Sequence, residues 1–247
     1  MRLPLPGDEA HLWQLVWDAP PALGRLERFL DWLTAEERSR YERHVVDSVR
    51  VEYLLTRAVV RTVLSHYADV APWDWRFEEG EYGRPALCGP LAPAALGFNL
   101  SNTSGMIVCL VDGAGRSVGV DVEDTRRPLA ADLAERCFSP REIRTLRALP
   151  ARMQHDRFYE YWTLKEAYIK ARGLGLALPL EHFSFLPDGE RWMVEFDERV
   201  RDDARRWQFS LHRPTGNHVV ALAIDRGSGP EVTVATRDVD IATLGLS

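Results

Sequence analysis

The chain has 247 residues, a formal net charge of −6, 45% hydrophobic and 28% charged residues. That is the composition of one large soluble globular domain or two small ones, and its acidity argues against nucleic acid as the main partner. Three cysteines without a CxxC spacing exclude a disulfide framework or a zinc site, and no apolar run reaches 18 residues, so a reduced, cytoplasmic protein without membrane contact is expected.

In chain order, the first signal is Trp13–Asp18, "WQLVWD", followed by Thr34-Ala35-Glu36-Glu37, a hydroxyl residue with glutamate three positions on: a capping box that opens a helix. Residues 47–67 carry apolar side chains at helical spacing. "MIVCLVD" (106–112) is a short apolar run rich in β-branched residues and reads as a strand. Then the signals recur. "GVDVED" (119–124) falls opposite "WQLVWD" at an offset of 106, and Ser139-Pro140-Arg141-Glu142 repeats the capping box at 105. Leu164–Lys170 matches Leu55–Arg61 at 109, and Thr215-Gly216 with "HVVALAID" matches Ser104-Gly105 with "MIVCLVD" at 111. A second helix is predicted over 155–172, with Gly173 as its stop.

Four matches in one order with nearly one offset describe a duplicated chain. The expected fold class is α+β, pseudo-duplicated: two similar subdomains, 1–115 and 116–247, each with a long helix packed on an antiparallel sheet. A ligand cleft between them is the natural site.

The halves differ in chemistry. Leu15 and Trp17 stand at the places of Asp121 and Glu123, and Arg57 at the place of Glu166. Side chains alternate along a strand, so Asp121 and Glu123 share a face about 6.6 Å apart. Both ionised, they repel by roughly 2.5 kcal/mol at an effective dielectric near 20. Open water or a cation relieves that. With Glu166 from the helix they would form an all-oxygen site suited to Mg²⁺. The plain alternatives are a solvated Asp121/Glu123 face and an ordinary surface bridge from Glu166 to Lys170 at i+4. The signatures GxGxxG and HExxH are absent.

"GVDVED", "FSPREI" and "YWTLKEAYIKARGLGLALPL" resemble the signature segments of the phosphopantetheinyl transferases, in particular the long two-subdomain type that includes the surfactin-synthetase activators. "EYGRPAL" resembles the family's YGKP segment and "FNLSNTSGMIVCLV" its FN-[IL]-SHS-G segment. The resemblance implies transfer of the 4'-phosphopantetheine arm of coenzyme A to a serine of an apo acyl, peptidyl or aryl carrier protein, in polyketide, nonribosomal peptide or fatty-acid synthesis. It implies Mg²⁺ on Asp121, Glu123 and Glu166, Lys165 as a phosphate contact and transition-state stabiliser, and Glu142 as a base for the attacking serine. Glu142 also has a structural task in its capping box. By position Arg50, Arg84, Ser101, Asn102 and Lys170 match coenzyme contacts, with Arg126-Arg127 and "GLGLALPL" as candidate carrier surface. Asn102 replaces a family histidine and cannot carry its charge, which predicts coenzyme binding less sensitive to pH. A monomer is expected. Two other functions use the same residues: a Mg²⁺-dependent phosphodiesterase acting on water, and a coenzyme A-binding module without turnover.

Overall fold

The structure is a computed structural model that describes residues 2–80, 83–129, 132–189, 191–240 and 244, without the side chain of Leu176. In chain order its elements are β1 (Glu9–Val16), α1 (Leu23–Leu26), α2 (Ala35–Arg43), α3 (Asp47–Ser65), β2 (Arg76–Glu79), β3 (Pro85–Cys88), β4 (Gly97–Thr103) and β5 (Met106–Asp112). There follow β6 (Val118–Asp124), α4 (Leu133–Cys137), α5 (Pro140–Ala148), α6 (Ala151–Arg172), β7 (Phe183–Asp188), β8 (Arg191–Phe196), β9 (Trp207–His212), β10 (His218–Asp225) and β11 (Thr233–Asp238). The α+β class and the duplicated element order are those expected from the sequence.

The chain forms two compact units. One comprises Met1–Glu79, Pro85–Gly115 and Thr233–Ser247, the other Gly80–Arg84 and Arg116–Val232. The sequence reading groups all of 116–247. In the structure β11 lies parallel to β1, from Glu9↔Thr233 to Gln14↔Asp238, so β11 belongs with the first sheet. That pairing is set by partners more than 200 residues apart, which no local pattern encodes.

In the first unit the sheet order is β11-β1-β5-β4, and β2 and β3 form a separate hairpin. α3 turns Leu54, Leu55, Ala58 and Val59, at i, i+1, i+4 and i+5, onto Trp13, Leu15, Ile107 and Cys109. In the second unit the order is β6-β10-β9-β8-β7, all antiparallel. α6 lays Tyr161, Leu164 and Tyr168 on Val219, Ala221, Phe183, Phe185 and Phe209. Each such side chain contributes about 1.5–3 kcal/mol when fully buried. α6 ends where expected: Gly173 adopts φ 63°, a left-handed conformation that costs glycine nothing.

Both capping boxes form. Thr34 and Ser139 each accept the N–H of the glutamate three residues on, and Glu37 and Glu142 return a carboxylate to the cap N–H. Among the described residues the cysteines are free, and no helix is long and apolar enough to cross a membrane.

Candidate functional site

β6 and α6 build the site. On β6, Gly119, Asp121 and Glu123 pair with Ala223, Ala221 and Val219 of β10, residues of the core that lies under α6. The approach of helix to strand is close. A Cβ on Gly119 would stand 2.0 Å from the Ala167 carbonyl oxygen and 2.5 Å from the Ala171 nitrogen. The absent side chain of Gly119 and the small Ala167 and Ala171 therefore let backbone meet backbone. α6 offers Trp162, Glu166 and Lys170, each four residues from the next, along one face.

This face meets the acidic face of β6. Lys170 Nζ donates to Asp121 Oδ1 at 2.7 Å. Trp162 Nε1 donates to Glu123 Oε1 at 2.8 Å, and Arg127 stands 3.8 Å from the same carboxylate. Asp121 is 4% exposed. The surface-bridge alternative therefore fails in one respect: the partner of Lys170 is the strand aspartate. Burial, then the neighbouring Asp121 charge, raises the Glu123 pKa. Burial and Asp121 push Glu166 up to about 7. A carboxylate whose pKa is raised by the charge of another lies close to it.

The donor set fits a hard dication, because the three groups offer carboxylate oxygens and no nitrogen or sulfur. The side chains are not pre-arranged around one point: among the described residues no group of three or more His, Cys, Asp or Glu side chains stands in ligating arrangement. Lys170 and the Trp162 indole hold oxygens that an ion would need.

The other expected site residues fall in different surroundings. Lys165 and Glu142 meet at 2.8 Å, both 0% exposed. Lys165 Nζ also donates to the carbonyls of Leu180 at 2.7 Å and Phe183 at 2.6 Å. Glu142 accepts the N–H of Ser139 at 2.9 Å and of Phe185 at 2.8 Å. Burial pulls the Lys165 ammonium below the usual lysine range, against the opposing effect of Glu142. Presentation of this pair to a substrate is not what the geometry provides.

Arg84 donates to the carbonyls of Lys170 and Ala171 at 3.0 Å each and of Val118 at 3.1 Å. It caps the C-terminus of α6, where a cation is favoured. Glu81 and Tyr82 of the same segment lie outside the described residues. In the first unit, Ser101 is buried on β4, and the exposed Asn102 amide donates to Glu52. Arg50 donates to the His44 carbonyl at 2.6 Å and stacks over Tyr41. Of the candidate carrier surface, Arg126 forks onto Asp124, and Leu180 is buried.

Residues 117–223 match the 4'-phosphopantetheinyl transferase superfamily. Over 224 residues the chain is 35% identical to the 4'-phosphopantetheinyl transferase HetI of Nostoc sp., with 90% of each chain covered. The chain belongs to the 4'-phosphopantetheinyl transferase superfamily. It is also 35% identical over 175 residues to the 4'-phosphopantetheinyl transferase Sfp of Bacillus subtilis, covering 70% of this chain and 75% of that one. The solved Thermotoga maritima holo-(acyl-carrier-protein) synthase is similar over 44% of this chain and 61% of its own, at 25% identity and a TM-score of 0.37. The superfamily match spans β6 through most of β10, the segment that carries Asp121, Glu123 and Glu166.

Three features of this transferase escaped the sequence reading. The steric role of Gly119 could have been found from the small pair Ala167 and Ala171 at i, i+4 on the helix. The Trp162–Glu123 bond had a partial signal, since Trp162 shares a face with Glu166. The Glu52–Asn102 bond had none.

Proposed function

We propose that this transferase moves the 4'-phosphopantetheine arm of coenzyme A to a serine of an apo acyl, peptidyl or aryl carrier protein, with Mg²⁺ held by Asp121, Glu123 and Glu166. One observation supports the metal reading above others: an all-carboxylate face on β6 and α6 on which Asp121 raises the pKa of Glu123, and Asp121 and Glu123 raise that of Glu166. In the reaction the serine hydroxyl gives up its proton to solvent as its oxygen bonds to the β-phosphorus, and the pyrophosphate P–O bond to the departing 3',5'-adenosine bisphosphate breaks. A dication bound there supplies neutralising charge to the pyrophosphate and to the leaving group.

The chain's own residues do the rest. Trp162 fixes one oxygen of Glu123, which limits the directions the other can take. Glu166 must give up its proton to serve as a ligand, and a pKa of about 7 makes that easy at slightly alkaline pH. Lys170 leaves Asp121 and turns to a phosphate oxygen, exchanging one anion for another. Arg50, Ser101 and Asn102 remain the proposed further contacts of the coenzyme. Arg84 serves indirectly, by holding the end of α6 from which Lys170 projects.

The protein is proposed to act as a cytoplasmic monomer on protein acceptors, away from nucleic acid and membrane. The test is intact-mass analysis of an apo carrier protein incubated with the transferase, coenzyme A and Mg²⁺, beside an EDTA arm. The expected result is the gain of one phosphopantetheine arm, absent with EDTA. No gain on several carriers sinks the transfer reading, and a gain that survives EDTA sinks the metal.

A further inference from the structure

In each half the capping-box glutamate is buried against a cation of that half's long helix. Glu142 pairs with Lys165 in the second unit. In the first, Arg61 Nη2 donates to Glu37 Oε2 at 2.5 Å, with Arg61 0% exposed, and Arg57 lies 3.6 Å from the other oxygen. The helices align at the offset of 109: residues 54–60 and 163–169 share one order of buried and half-buried positions. At that offset Arg61 corresponds to Lys170, and Lys165 to Thr56. The glutamate is thus constant, while its cation sits five residues earlier in α6, leaving position 170 for Asp121. The first half keeps this pairing although it has none of the three site carboxylates, so the pairing belongs to the fold.

The hydrogen bonding says the same. The three protons of Lys165 have three acceptors: Glu142 and the carbonyls of Leu180 and Phe183. Glu142 ties the start of α5, the Phe185 N–H of β7 and α6 together. A base must reach a hydroxyl on another protein, and a phosphate ligand must reach the coenzyme. Neither side chain can do so without breaking this set, at the cost of a buried unpaired charge.

We propose that Glu142–Lys165 is a positioning pair that fixes the rotation of α6, and so the direction of Glu166 and Lys170, and that neither residue takes the serine proton or touches coenzyme A. This rests on the transferase reading. Of the chain's 31 lysines and arginines only Lys165 and Lys170 are lysines, so a lysine-acetylating reagent reads just these two side chains besides the terminal amine. On the native protein, followed residue by residue by mass spectrometry, Lys165 should react at least about tenfold more slowly than Lys170, because acetylation of a buried ammonium awaits local opening. Coenzyme A with Mg²⁺ should slow Lys170 and leave Lys165 unchanged. Lys165 reacting within about tenfold of Lys170, or protected by coenzyme A, overturns the proposal. Protection of neither lysine removes Lys170 from the proposed coenzyme contacts, and the rate of Lys165 then decides the pair alone.

The second test removes both charges. Glu142→Gln alone should lower the melting temperature more than Glu142→Gln with Lys165→Met, since the single change strands an ammonium. The folded double variant should keep the acid limb of the carrier-modification pH–rate profile within about 0.3 units, and kcat within about tenfold. Loss of that limb, or a fall of about a thousandfold, with the fold intact assigns Glu142 the base and overturns the pair's role. If the double variant does not fold, the acetylation rates on the unaltered protein decide.

Discussion

The strand that opens each half presents opposite chemistry to the same helix face. On β1 the residues facing α3 are Trp13 and Leu15, 8% and 1% exposed, with Trp13 stacked on His66 and bonded to the Tyr67 hydroxyl. On β6 the corresponding residues at the offset of 106 are Gly119 and Asp121. The first half fills the space between strand and helix with an indole. The second brings Ala167 and Ala171 onto bare backbone at Gly119 and leaves the carboxylates beside the α6 face. One scaffold therefore supports two outcomes: where the strand is apolar the gap becomes core, and where it is acidic the gap becomes a site. Burial of charge without a full set of partners disfavours the ionised forms, as the raised Glu123 and Glu166 show, and that cost has no counterpart among the apolar residues of β1.

The largest effect expected from this contrast is steric. Gly119→Ala puts a methyl 2.0 Å from a backbone oxygen that cannot step aside, and should cost about 3 kcal/mol or more, or prevent folding of the second unit. Thermal unfolding and hydrogen exchange resolved to β6 and α6 check it. A variant as stable as the parent would mean that helix and strand are farther apart than described. Next comes Glu166→Gln, expected to slow carrier modification by about 10²-fold or more. Its stability effect has the opposite sign. A carboxyl whose folded pKa is raised from 4.5 to about 7 loses stability on ionising, a loss absent below pH 4.5 and complete above about pH 7. Metal-free Glu166→Gln should then be about 1–2 kcal/mol more stable than the parent at pH 8 and equal to it at pH 4. Excess Mg²⁺ should reverse the order at pH 8, since only the parent gains from binding. A variant less stable at pH 8 in EDTA would show that Glu166 is satisfied without metal.

Much of this was written locally in the sequence. The capping boxes, the long helices, the Gly173 stop and the apolar strands β5 and β10 follow from patterns a few residues wide. So did the carboxylates, once the halves were laid side by side. What stayed hidden was pairing at a distance. Nothing in "TVATRD" says that it adds to β1, and nothing in "YGRP" says that its arginine caps a helix 86 residues later. The burial of Lys165 against Glu142 was hidden for a related reason. Their expected roles came from the family resemblance, and charged residues are rarely fully buried, while the partners that make burial possible are backbone carbonyls and N–H groups whose approach no side-chain motif records.

A smaller effect sharpens the comparison at position 170, where α3 has Arg61. Lys170→Met removes the cation that now holds Asp121, so Mn²⁺ or Mg²⁺ should bind the coenzyme-free protein about tenfold more tightly, a change of about 1.4 kcal/mol. Calorimetry or the electron paramagnetic resonance of Mn²⁺ reads this without turnover. The KM for coenzyme A should rise in the same variant. Weaker metal binding would mean that Lys170 supports the carboxylates as ligands instead of competing for one of them.

The smallest effect lies in the first half, at His11, whose place in the second half is taken by Ser117. His11 is 0% exposed; its Nδ1 faces the Tyr67 hydroxyl at 2.6 Å and Arg237 Nε at 3.3 Å, and its Nε2 faces Glu9 at 3.3 Å. Arginine can only donate, so Nδ1 accepts and the ring proton sits on Nε2, toward Glu9. Protonation would turn Nδ1 into a donor pointed at a guanidinium. Burial first, with Arg237 adding to it and Glu9 opposing, holds the pKa below 6.5. The unfolded chain therefore takes up this proton before the folded one does. Stability from this source is complete above pH 6.5 and falls as the pH drops below it. His11→Asn should flatten the stability profile below pH 6.5 by less than about 1 kcal/mol, and hydrogen exchange in β11, which carries Arg237, should lose part of its acid sensitivity. His66 in this unit and His212 in the other are also held low by burial, so the telling quantity is the difference between variant and parent across pH. An unchanged profile would show that the parallel β1–β11 pairing is fixed by its backbone ladder alone, independent of the ring between its strands.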